Sequence, residues 1–424
     1  MKNPFGFGIA AIAATASLAL AGGDEEKNKV SSSLEKLGAP STPAKQEVTF
    51  APGKGVTFDA GDDFMLNLST YVQVLWTYIA NDSTNPASNG GSADFNTFAI
   101  KKARTALKGH LFNKDIRYRL AAEWTDSTNP VKDAWVHWMF HSQDTNAIGL
   151  RAGQQKTFFG RESTSSDTGV EFADRALASR TFANTRARGA AVTGGHVEGK
   201  KFNWTAGAFN TDSAGASAAR GEDNPNTDNE LNWVFTARFD GNGDMGDEGY
   251  MAGDLENTQE LKWSVGAGYQ IGNARGTVGA ATRDIDSATI NLNGGLKIKG
   301  WHVLAEYFMR SDEPDVAGSS ESESNGWQAQ ASYTMAAAEG SHSQWSFGAR
   351  ISSISLDDAS QILLNGTALG ASEGDVDEIT FMATNYYRKY ALKTTASWTL
   401  QSVDPTGGSS ADNHIFEVQF QFIF

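Results

Sequence analysis

Lysine and arginine side chains are concentrated in one part of this chain, between Asn96 and Asn210. That stretch holds 17 Lys and Arg against 10 Asp and Glu, whereas the rest of the 424 residues holds 18 against 40. A guanidinium group donates paired hydrogen bonds to phosphate oxygens and stays protonated, and an ammonium group attracts the same anions as a compact charge. The chemistry that this stretch predicts is the binding of small anions.

No grouping of residues in the sequence suggests covalent catalysis or metal binding. The chain has no cysteine and seven scattered histidines. His137 and His141 would lie about 13 Å apart on a strand, too far for one metal. Neither Gly-x-Ser-x-Gly nor a Gly-rich phosphate loop ending in Gly-Lys-Ser/Thr occurs. The acidic stretch 240–248 resembles a calcium loop only in part, and a solvated turn is the favoured interpretation. We predict a protein that is not an enzyme and needs no metal or other cofactor.

The elements that must position the basic residues are indicated by the C-terminal segment, residues 411–424. Apolar and polar side chains alternate there up to Phe424. Successive side chains of a strand point to opposite faces, so one face suits lipid and the other water. A soluble edge strand of this kind would invite aggregation, whereas a closed membrane barrel removes the edge. The predicted apolar face is formed by Phe416, Val418, Phe420, Phe422 and Phe424.

Sixteen strand candidates follow one another from residue 64 onward, and they predict an all-β, antiparallel, up-and-down transmembrane barrel of about 16 strands. Short and long connections alternate, as expected of an outer-membrane barrel, and the longest, after residue 156, is long enough to fold into the lumen. Two segments fit poorly: 241–260 is long where a short turn is expected, and 272–287 could hold an extra strand. The candidates span 64–79, 97–111, 115–125, 132–141, 147–156, 187–197, 201–210, 230–240, 261–271, 288–299, 300–310, 326–336, 343–355, 377–387, 390–401 and 412–424.

Strand alternation predicts which basic residues face the lumen. Tyr118, Leu120, Ala122 and Trp124 take the lipid face of the third candidate strand, which directs the two arginines between them inward. A pore lined by one sign of charge in a low-dielectric wall concentrates counter-ions, so an anion path is the simplest physical interpretation. The lumen candidates from alternation are Lys102, Arg104, Lys108, Arg117, Arg119, Arg151 and Arg188.

The N-terminus predicts export from the cytoplasm. Met1 and Lys2 precede an apolar run that ends in Ala19-Leu20-Ala21. This pattern is typical of a cleaved signal peptide, residues 1–21. Residues 22–58 are predicted to form a polar periplasmic segment or tether, and residues 59–424 the barrel. The expected location is the outer membrane of a Gram-negative-type bacterium, with lipid around the barrel. The acidic net charge of −15 disfavours nucleic acid as a partner.

A stretch in the middle of the chain resembles the phosphate-selective porin O/P family. The closest part begins Gly153-Gln154-Gln155-Lys156-Thr157-Phe158-Phe159 and ends in Glu162. A second part is Phe172-Ala173-Asp174-Arg175-Ala176-Leu177, followed by Arg186. The family typically has proline where this chain has Phe158, glutamate at Asp174 and serine at Ala176. Residues 97–110 also look like the family's second strand. The resemblance as a whole covers essentially everything from the first strand to Phe424.

The resemblance implies a sixteen-stranded homotrimeric channel in which arginines on an inward-folded constriction loop carry anions. It adds five basic loop residues to the anion pathway, namely Lys156, Arg161, Arg175, Arg180 and Arg186. Glu162 and Asp174 are expected to fix the loop. The implied permeant ions are phosphate first, then pyrophosphate or chloride.

Three alternatives stay open at this point. The loop arginines could pin the loop to the wall through Glu162, Asp167, Glu171 and Asp174 without touching permeating ions. The barrel could be a weakly selective general-solute porin. It could also be a non-conducting adhesive or structural protein of the outer membrane, in which the acidic loops matter more than the lumen.

Overall fold

The protein is described here by a computed structural model, in which almost every described residue belongs to one sheet. Eighteen strands follow in chain order, with two short helices between β7 and β8. The residues that the structure describes are 47–82, 94–127, 130–143, 146–183, 186–195, 202–210, 231–242, 245, 253–278, 281–315, 320–341, 343–357 and 373–424.

Each strand is antiparallel to its neighbours, and strands that follow one another in the chain are adjacent in the sheet. Their bounds are β1 Glu47–Ala51, β2 Gly55–Asp59, β3 Phe64–Ala80, β4 Phe95–Leu111, β5 Asn113–Glu123, β6 Val131–Gln143, β7 Asn146–Lys156, β8 Arg186–Gly194, β9 Phe202–Asn210, β10 Leu231–Gly241, β11 Lys262–Val278, β12 Ala281–Ile298, β13 Trp301–Pro314, β14 Ser322–Thr334, β15 Gln344–Leu356, β16 Gly374–Tyr386, β17 Leu392–Pro405 and β18 Ala411–Ile423. The helices are α1 Arg161–Thr164 and α2 Leu177–Phe182.

Strands β3 to β18 form a closed barrel of sixteen strands. The last strand pairs with the first, from His414 opposite Ala80 to Ile423 opposite Tyr71. All sixteen predicted strands are present, so the fold class predicted from the alternation is confirmed. Closure leaves none of these strands with a long unpaired edge, which is what a wall in contact with lipid requires.

The alternation of side chains sorts the wall into an apolar outer face and a polar inner face. On β18, Phe416 and Phe420 are exposed, whereas Gln419 and Gln421 between and beyond them are buried in the lumen. Neighbouring strands extend the apolar face, since the ring of Phe416 stacks on that of Trp398 with 5.9 Å between centroids. Among the described residues, no helix has the length and hydrophobicity needed to cross a membrane.

Two connections that fitted poorly have structural explanations. The region around 275–284 holds no extra strand, because β11 and β12 form one long hairpin that pairs as far as Val278 opposite Ala281. The described end of the long connection 241–260 packs against neighbouring turns. Asp254 accepts a hydrogen bond from the amide of Gly300 at 2.8 Å, and Gln344 donates to the carbonyl of Leu255 at 3.1 Å. Most of the other long connections, which are expected together on one rim of the barrel, lie outside the described residues.

A short hairpin, β1 and β2, precedes the barrel. Its second strand pairs with the beginning of β3, from Val56 opposite Leu68 to Asp59 opposite Met65. It occupies the part of the β3 edge that β18 leaves open, since Phe424 reaches only as far as Thr70. The segment expected to be a tether up to residue 58 therefore ends in sheet structure, and residues 1–46, with the signal peptide prediction, lie outside the described residues. We call the rim that carries this hairpin and Phe424 the terminal rim.

The connection between β7 and β8, described for residues 157–183, folds into the barrel as predicted, and we call it the inner loop. Phe159, Leu177 and Phe182 are buried between the loop and the wall. The ring of Phe182 stacks on Phe308 of β13, with 5.9 Å between centroids. Apolar burial of this kind stabilises the inward position of the loop.

Candidate functional site

The first helix of the inner loop, α1, has its first two amides bound by a carboxylate of the barrel wall. Glu306 on β13 accepts hydrogen bonds from the amides of Arg161 and Glu162, the latter at 3.1 Å, and from the hydroxyl of Ser179 at 2.8 Å. The first amides of a helix have no partner within the helix, so an acceptor at this place stabilises it. Glu306 therefore joins both helices of the loop to one strand of the barrel.

A buried aspartate on the same loop collects three cations. The carboxylate of Asp167 lies 2.7 Å from Arg175, 2.9 Å from Arg104 and 3.6 Å from Lys102. The hydroxyl of Tyr71 donates to it at 3.2 Å. Burial alone would raise the pKa of Asp167, but the charges of Lys102, Arg175 and Arg104 hold this pKa well below its usual range.

A bulge in β4 contains a further cation, which the alternation from Lys102 onward does not indicate. The register between β3 and β4 shifts so that Gln73 faces Lys102 and Val74 faces Ile100, which leaves Lys101 unpaired. An extra residue of this kind re-aims its side chain. The ammonium of Lys101 reaches Asp174 at 3.2 Å and the carbonyl of Ala173 at 2.7 Å. The pKa of Asp174, which burial would raise, is lowered mainly by Lys101.

The other predicted loop-fixing carboxylate, Glu162, also bonds to both the loop and the wall. It accepts a hydrogen bond from the amide of Ala176 at 2.8 Å and from Gln328 at 3.2 Å. Arg350 of β15 lies 3.6 Å from the same carboxylate. This arrangement supports the expectation that Glu162 and Asp174 hold the loop.

Three of the predicted pathway cations on or beside the loop also bind protein groups. Lys156 donates to the carbonyl of Thr164 at 2.7 Å, and Arg161 donates to the hydroxyl of Ser264. Arg180 lies 3.5 Å from Glu378 and keeps part of its side chain exposed. Lys102, Arg104 and Arg175 bind Asp167 of the loop in the same way. All six cations therefore help to hold the loop in place.

A fourth carboxylate on the loop attaches it to the opposite wall. Glu171 accepts hydrogen bonds from Ser332 at 2.6 Å and from the imidazole of His302 at 2.8 Å. Burial would raise the pKa of Glu171, and the neighbouring His302 lowers it. The inner loop is thereby tied across the lumen, from β3 and β4 on one side to β13 and β14 on the other.

Between the inner loop and the terminal rim lies a large open cavity of about 1380 Å³. Its lining contains eleven basic and only four acidic side chains. The predicted residues among them are Arg104, Lys108, Arg119, Arg151, Lys156 and Arg186, and the others are Lys54, Lys262, Lys297, Arg388 and Lys389. Among the described residues, Lys54, Lys108, Lys262 and Arg388 form no ion pair. A positive field in a space with low-dielectric walls concentrates anions.

Two like charges face each other on this wall. Lys108 of β4 lies directly opposite Arg119 of β5 in the sheet register. Directly opposed like charges on neighbouring strands are destabilising unless a counter-charge is present. Asp133 supplies one, at 2.9 Å from Arg119, but it is shared with Arg186 at 3.0 Å. This part of the lumen keeps an excess of positive charge that a passing anion can balance.

Arg151 lies between two aromatic rings at the same level. Its guanidinium carbon is 4.3 Å from the ring centre of Trp135 and 4.9 Å from that of Phe158. Stacking of this kind fixes the plane of the guanidinium. Arg151 lines the cavity and its position is held by the first residues of the inner loop.

Two predicted pathway residues belong neither to the cavity lining nor to the contacts that hold the inner loop. Arg117 shares the inner face with buried His137, but it lies at the terminal rim and donates to the carbonyl of Lys114 at 3.3 Å. Arg188 requires a correction, because it is exposed on the outer face and donates to Gln154 at 3.3 Å. Its neighbours in β8, Ala187 and Ala191, pack inward against the loop, so alternation directs Arg188 outward.

Within the described residues, no group of three His, Asp or Glu could hold a metal ion. Most of the acidic stretch 240–248, which resembled a calcium loop in part, lies outside the described residues.

A closed sixteen-stranded barrel with an apolar belt, an inward loop and an open polar lumen defines a porin of the outer membrane. The chain belongs to the phosphate-selective porin O and P family, whose model matches residues 72–424. The family resemblance drawn from residues 153–177 is confirmed, and so are the porin class and the outer-membrane location.

Three solved structures that match the fold have low sequence identity to this chain. An anion-selective porin from Comamonas acidovorans matches with a TM-score of 0.52 and 11% identity, covering 85% of this chain and 99% of that one. The outer-membrane channel DcaP of Acinetobacter baumannii matches with a TM-score of 0.54 and 14% identity, covering 88% and 100%. OmpT of Vibrio cholerae, in a trimer form, gives 0.51 and 10%, covering 84% and 99%. No curated protein sequence matches the chain.

Proposed function

We propose that this porin lets small anions diffuse passively through its lumen, with phosphate or related phosphorylated anions preferred and chloride also conducted. The observation that carries the proposal is the opposed pair Lys108 and Arg119 in a cavity with eleven basic and four acidic lining residues. The family's description and the name of the Comamonas acidovorans porin point in the same direction.

The inner loop and the cavity have different tasks in this proposal. Lys102, Arg104 and Arg175 are engaged by Asp167, so they hold the constriction in place. The ions meet the cations of the cavity wall, chiefly Lys108, Arg119 and Arg151. Arginine and lysine positions spaced along a wall let an anion exchange its water for side chains without entering one deep trap.

A weakly selective general-solute porin is the second candidate. It is favoured by the carboxylates on the inner loop, since Asp167, Asp174 and Glu162 each compensate cations that would otherwise attract anions. In that case the basic residues of the loop serve only its architecture. Homotrimer formation is part of the proposal as well, supported by the trimer form of the Vibrio cholerae neighbour.

The deciding experiment is reconstitution in a planar bilayer under a salt gradient. The reversal potential in potassium chloride gives the ratio of anion to cation permeability, and added phosphate is then titrated for block of the chloride current. Anion selectivity with block by phosphate is the expected result. Selectivity without block would leave a general anion pore, a reversal potential near zero would favour the general-solute porin, and failure to form channels would favour an adhesive or structural role.

A further inference from the structure

The β1–β2 hairpin, which precedes the residues that match the family model, has one apolar face. Val48 lies opposite Phe58 and Phe50 lies opposite Val56 in the register of the hairpin, so the four side chains share one face. Val48 and Phe50 are 63% and 64% exposed, and Phe58 is 42% exposed. Large apolar side chains exposed side by side mark a surface that contacts a partner or a membrane. We call these four residues the hairpin face.

The other face of the hairpin belongs to the lumen. Thr57 accepts a hydrogen bond from the side-chain amide of Asn67 at 2.9 Å, and Asn67 is buried on the inner side of β3. Thr57 also lines the large cavity. Because Thr57 lies between Val56 and Phe58 in the strand, these two side chains point away from the lumen. The hairpin face is therefore on the outside of the barrel wall.

The hairpin face continues the apolar outer surface of the barrel. Phe58 lies opposite Leu66 and Val56 lies opposite Leu68, and both leucines are on the outer face of β3. Beyond Leu68, the pairing of β3 passes from β2 to the C-terminal Phe424. The ring of Phe424 is 53% exposed on the same outer side. One apolar surface thus runs from the lipid-facing wall across β3 to the hairpin.

The backbone of β3 gives an independent reason to place the hairpin at the membrane. The last strand covers β3 only from Ala80 to Thr70, whereas β2 covers it from Leu68 to Met65. An open strand edge is not tolerated in the hydrocarbon of a membrane, because its amides and carbonyls would have no partner. Pairing by β2 completes the wall at the place where lipid would otherwise meet the backbone of β3.

Charged residues mark the level at which the apolar surface ends. Glu47 and Asp59 are both exposed and lie opposite each other in the next pair of the hairpin. Directly opposed like charges are destabilising unless water and salt screen them. Asp62 and Lys114, which form an exposed ion pair at 2.6 Å, lie at the same rim. The hairpin face is therefore the last apolar layer before water.

We propose that the hairpin face is a membrane-contact surface whose partner is the phospholipid of the periplasmic leaflet of the outer membrane. The terminal rim has short turns, such as Phe112 between β4 and β5, and outer-membrane barrels keep their short turns on the periplasmic side. The segment up to residue 58, predicted to be a polar tether, thus contains an element that is docked in lipid from Val48 onward. This inference goes beyond the proposed function, because it does not depend on which ions the pore conducts.

The absence of cysteine from the sequence permits a direct test with a nitroxide label. Phe50→Cys is labelled in the full chain and reconstituted into phospholipid vesicles, and electron paramagnetic resonance measures its accessibility to oxygen and to a nickel chelate. Oxygen concentrates among acyl chains, whereas the chelate stays in water. We expect the label at position 50 to be more accessible to oxygen than to the chelate. Thr49→Cys is the matched control, because Thr49 is exposed in the same strand on the inner face, and its label should show the reverse.

Two further labels calibrate the measurement, Phe420→Cys on the lipid face of β18 and Asp63→Cys in an exposed turn of the terminal rim. A label at position 50 that is as accessible to the chelate as the label at 63 would show that the hairpin face lies in water. Low accessibility to both reagents would show that protein, such as a second copy of the chain, covers it. Either result would overturn the inference. Val48→Cys gives a second label on the same face should Phe50→Cys fail to fold.

Discussion

The ring of Phe158 covers the guanidinium of Arg151, with 4.9 Å between the ring centre and the guanidinium carbon. Phe158 stands where the family usually has proline, and its φ angle is 62°. Proline is confined to φ near −65°, so this chain enters the inner loop along a path that proline cannot follow. The departure from the family pattern thus coincides with a contact that orients a cavity arginine.

Replacement of Phe158 by the family's proline is expected to damage this protein. Phe158→Pro forces the loop entry out of its left-handed conformation and should destabilise the loop by more than about 1 kcal/mol. Phe158→Gly removes the same ring but accepts the φ angle, and it serves as the control. Single-channel recordings should show an irregular, noisy conductance for the proline variant and steady openings for glycine. Equally steady openings in both would show that the loop entry has another path.

Asp167 is the residue whose loss should affect the loop most. Removing one member of a buried ionic cluster leaves the other charges uncompensated and costs about 3–5 kcal/mol. Asp167→Asn should therefore loosen the inner loop and release Lys102, Arg104 and Arg175, which raises both current noise and anion selectivity. Asp115→Asn, at an exposed position near the start of β5, is the control for net charge. A reversal potential in Asp167→Asn that equals that of Asp115→Asn would contradict the role of Asp167.

The depressed pKa of Asp167 makes a prediction about acid. A carboxylate whose pKa is lowered in the folded protein adds stability at every pH above its ordinary pKa, which is 3.8 for aspartate. This stability is lost as the pH falls through the lower pKa that the group has in the folded protein. Current noise in the wild type should stay constant from neutral pH to about 4 and rise only in stronger acid. In Asp167→Asn the noise should be high throughout. A rise in wild-type noise centred above pH 4 would show that another group controls the loop.

Strand positions were predictable because each barrel strand repeats one simple pattern, apolar toward lipid and polar toward water. Arg119 could be placed inward from Tyr118 and Leu120, which are large and apolar. Arg188 could not be placed in the same way, because alanines at 187 and 190 flank it and glycine at 189 carries no side chain.

The network within the lumen was less accessible to sequence reasoning. The sequence showed several carboxylates that could hold the loop. That Asp167 is the one that pairs with three cations depends on the path of the folded loop. Lys101 was missed because the inward residues of this strand were assigned from the alternation that begins at Lys102. The exposed Phe98 and Ile100 before it have the opposite phase, and this change of phase is the sequence signal of the bulge. The hairpin at residues 47–59 was hidden in a segment with the composition of a tether.

The two arginines of β5 should differ in their effect on selectivity. Arg119 lines the cavity opposite Lys108, whereas Arg117 lies at the rim and donates to a carbonyl of its own turn. Neutralising one of several cavity cations should lower the ratio of anion to cation permeability by roughly twofold. We expect Arg119→Gln and Lys108→Gln each to show this loss and Arg117→Gln to match the wild type within error. Arg186 still pairs with Asp133 in Arg119→Gln, so the carboxylate keeps a partner and the barrel should fold. Equal losses in Arg117→Gln and Arg119→Gln would mean that ions are selected at the rim, before they reach the opposed pair of Lys108 and Arg119.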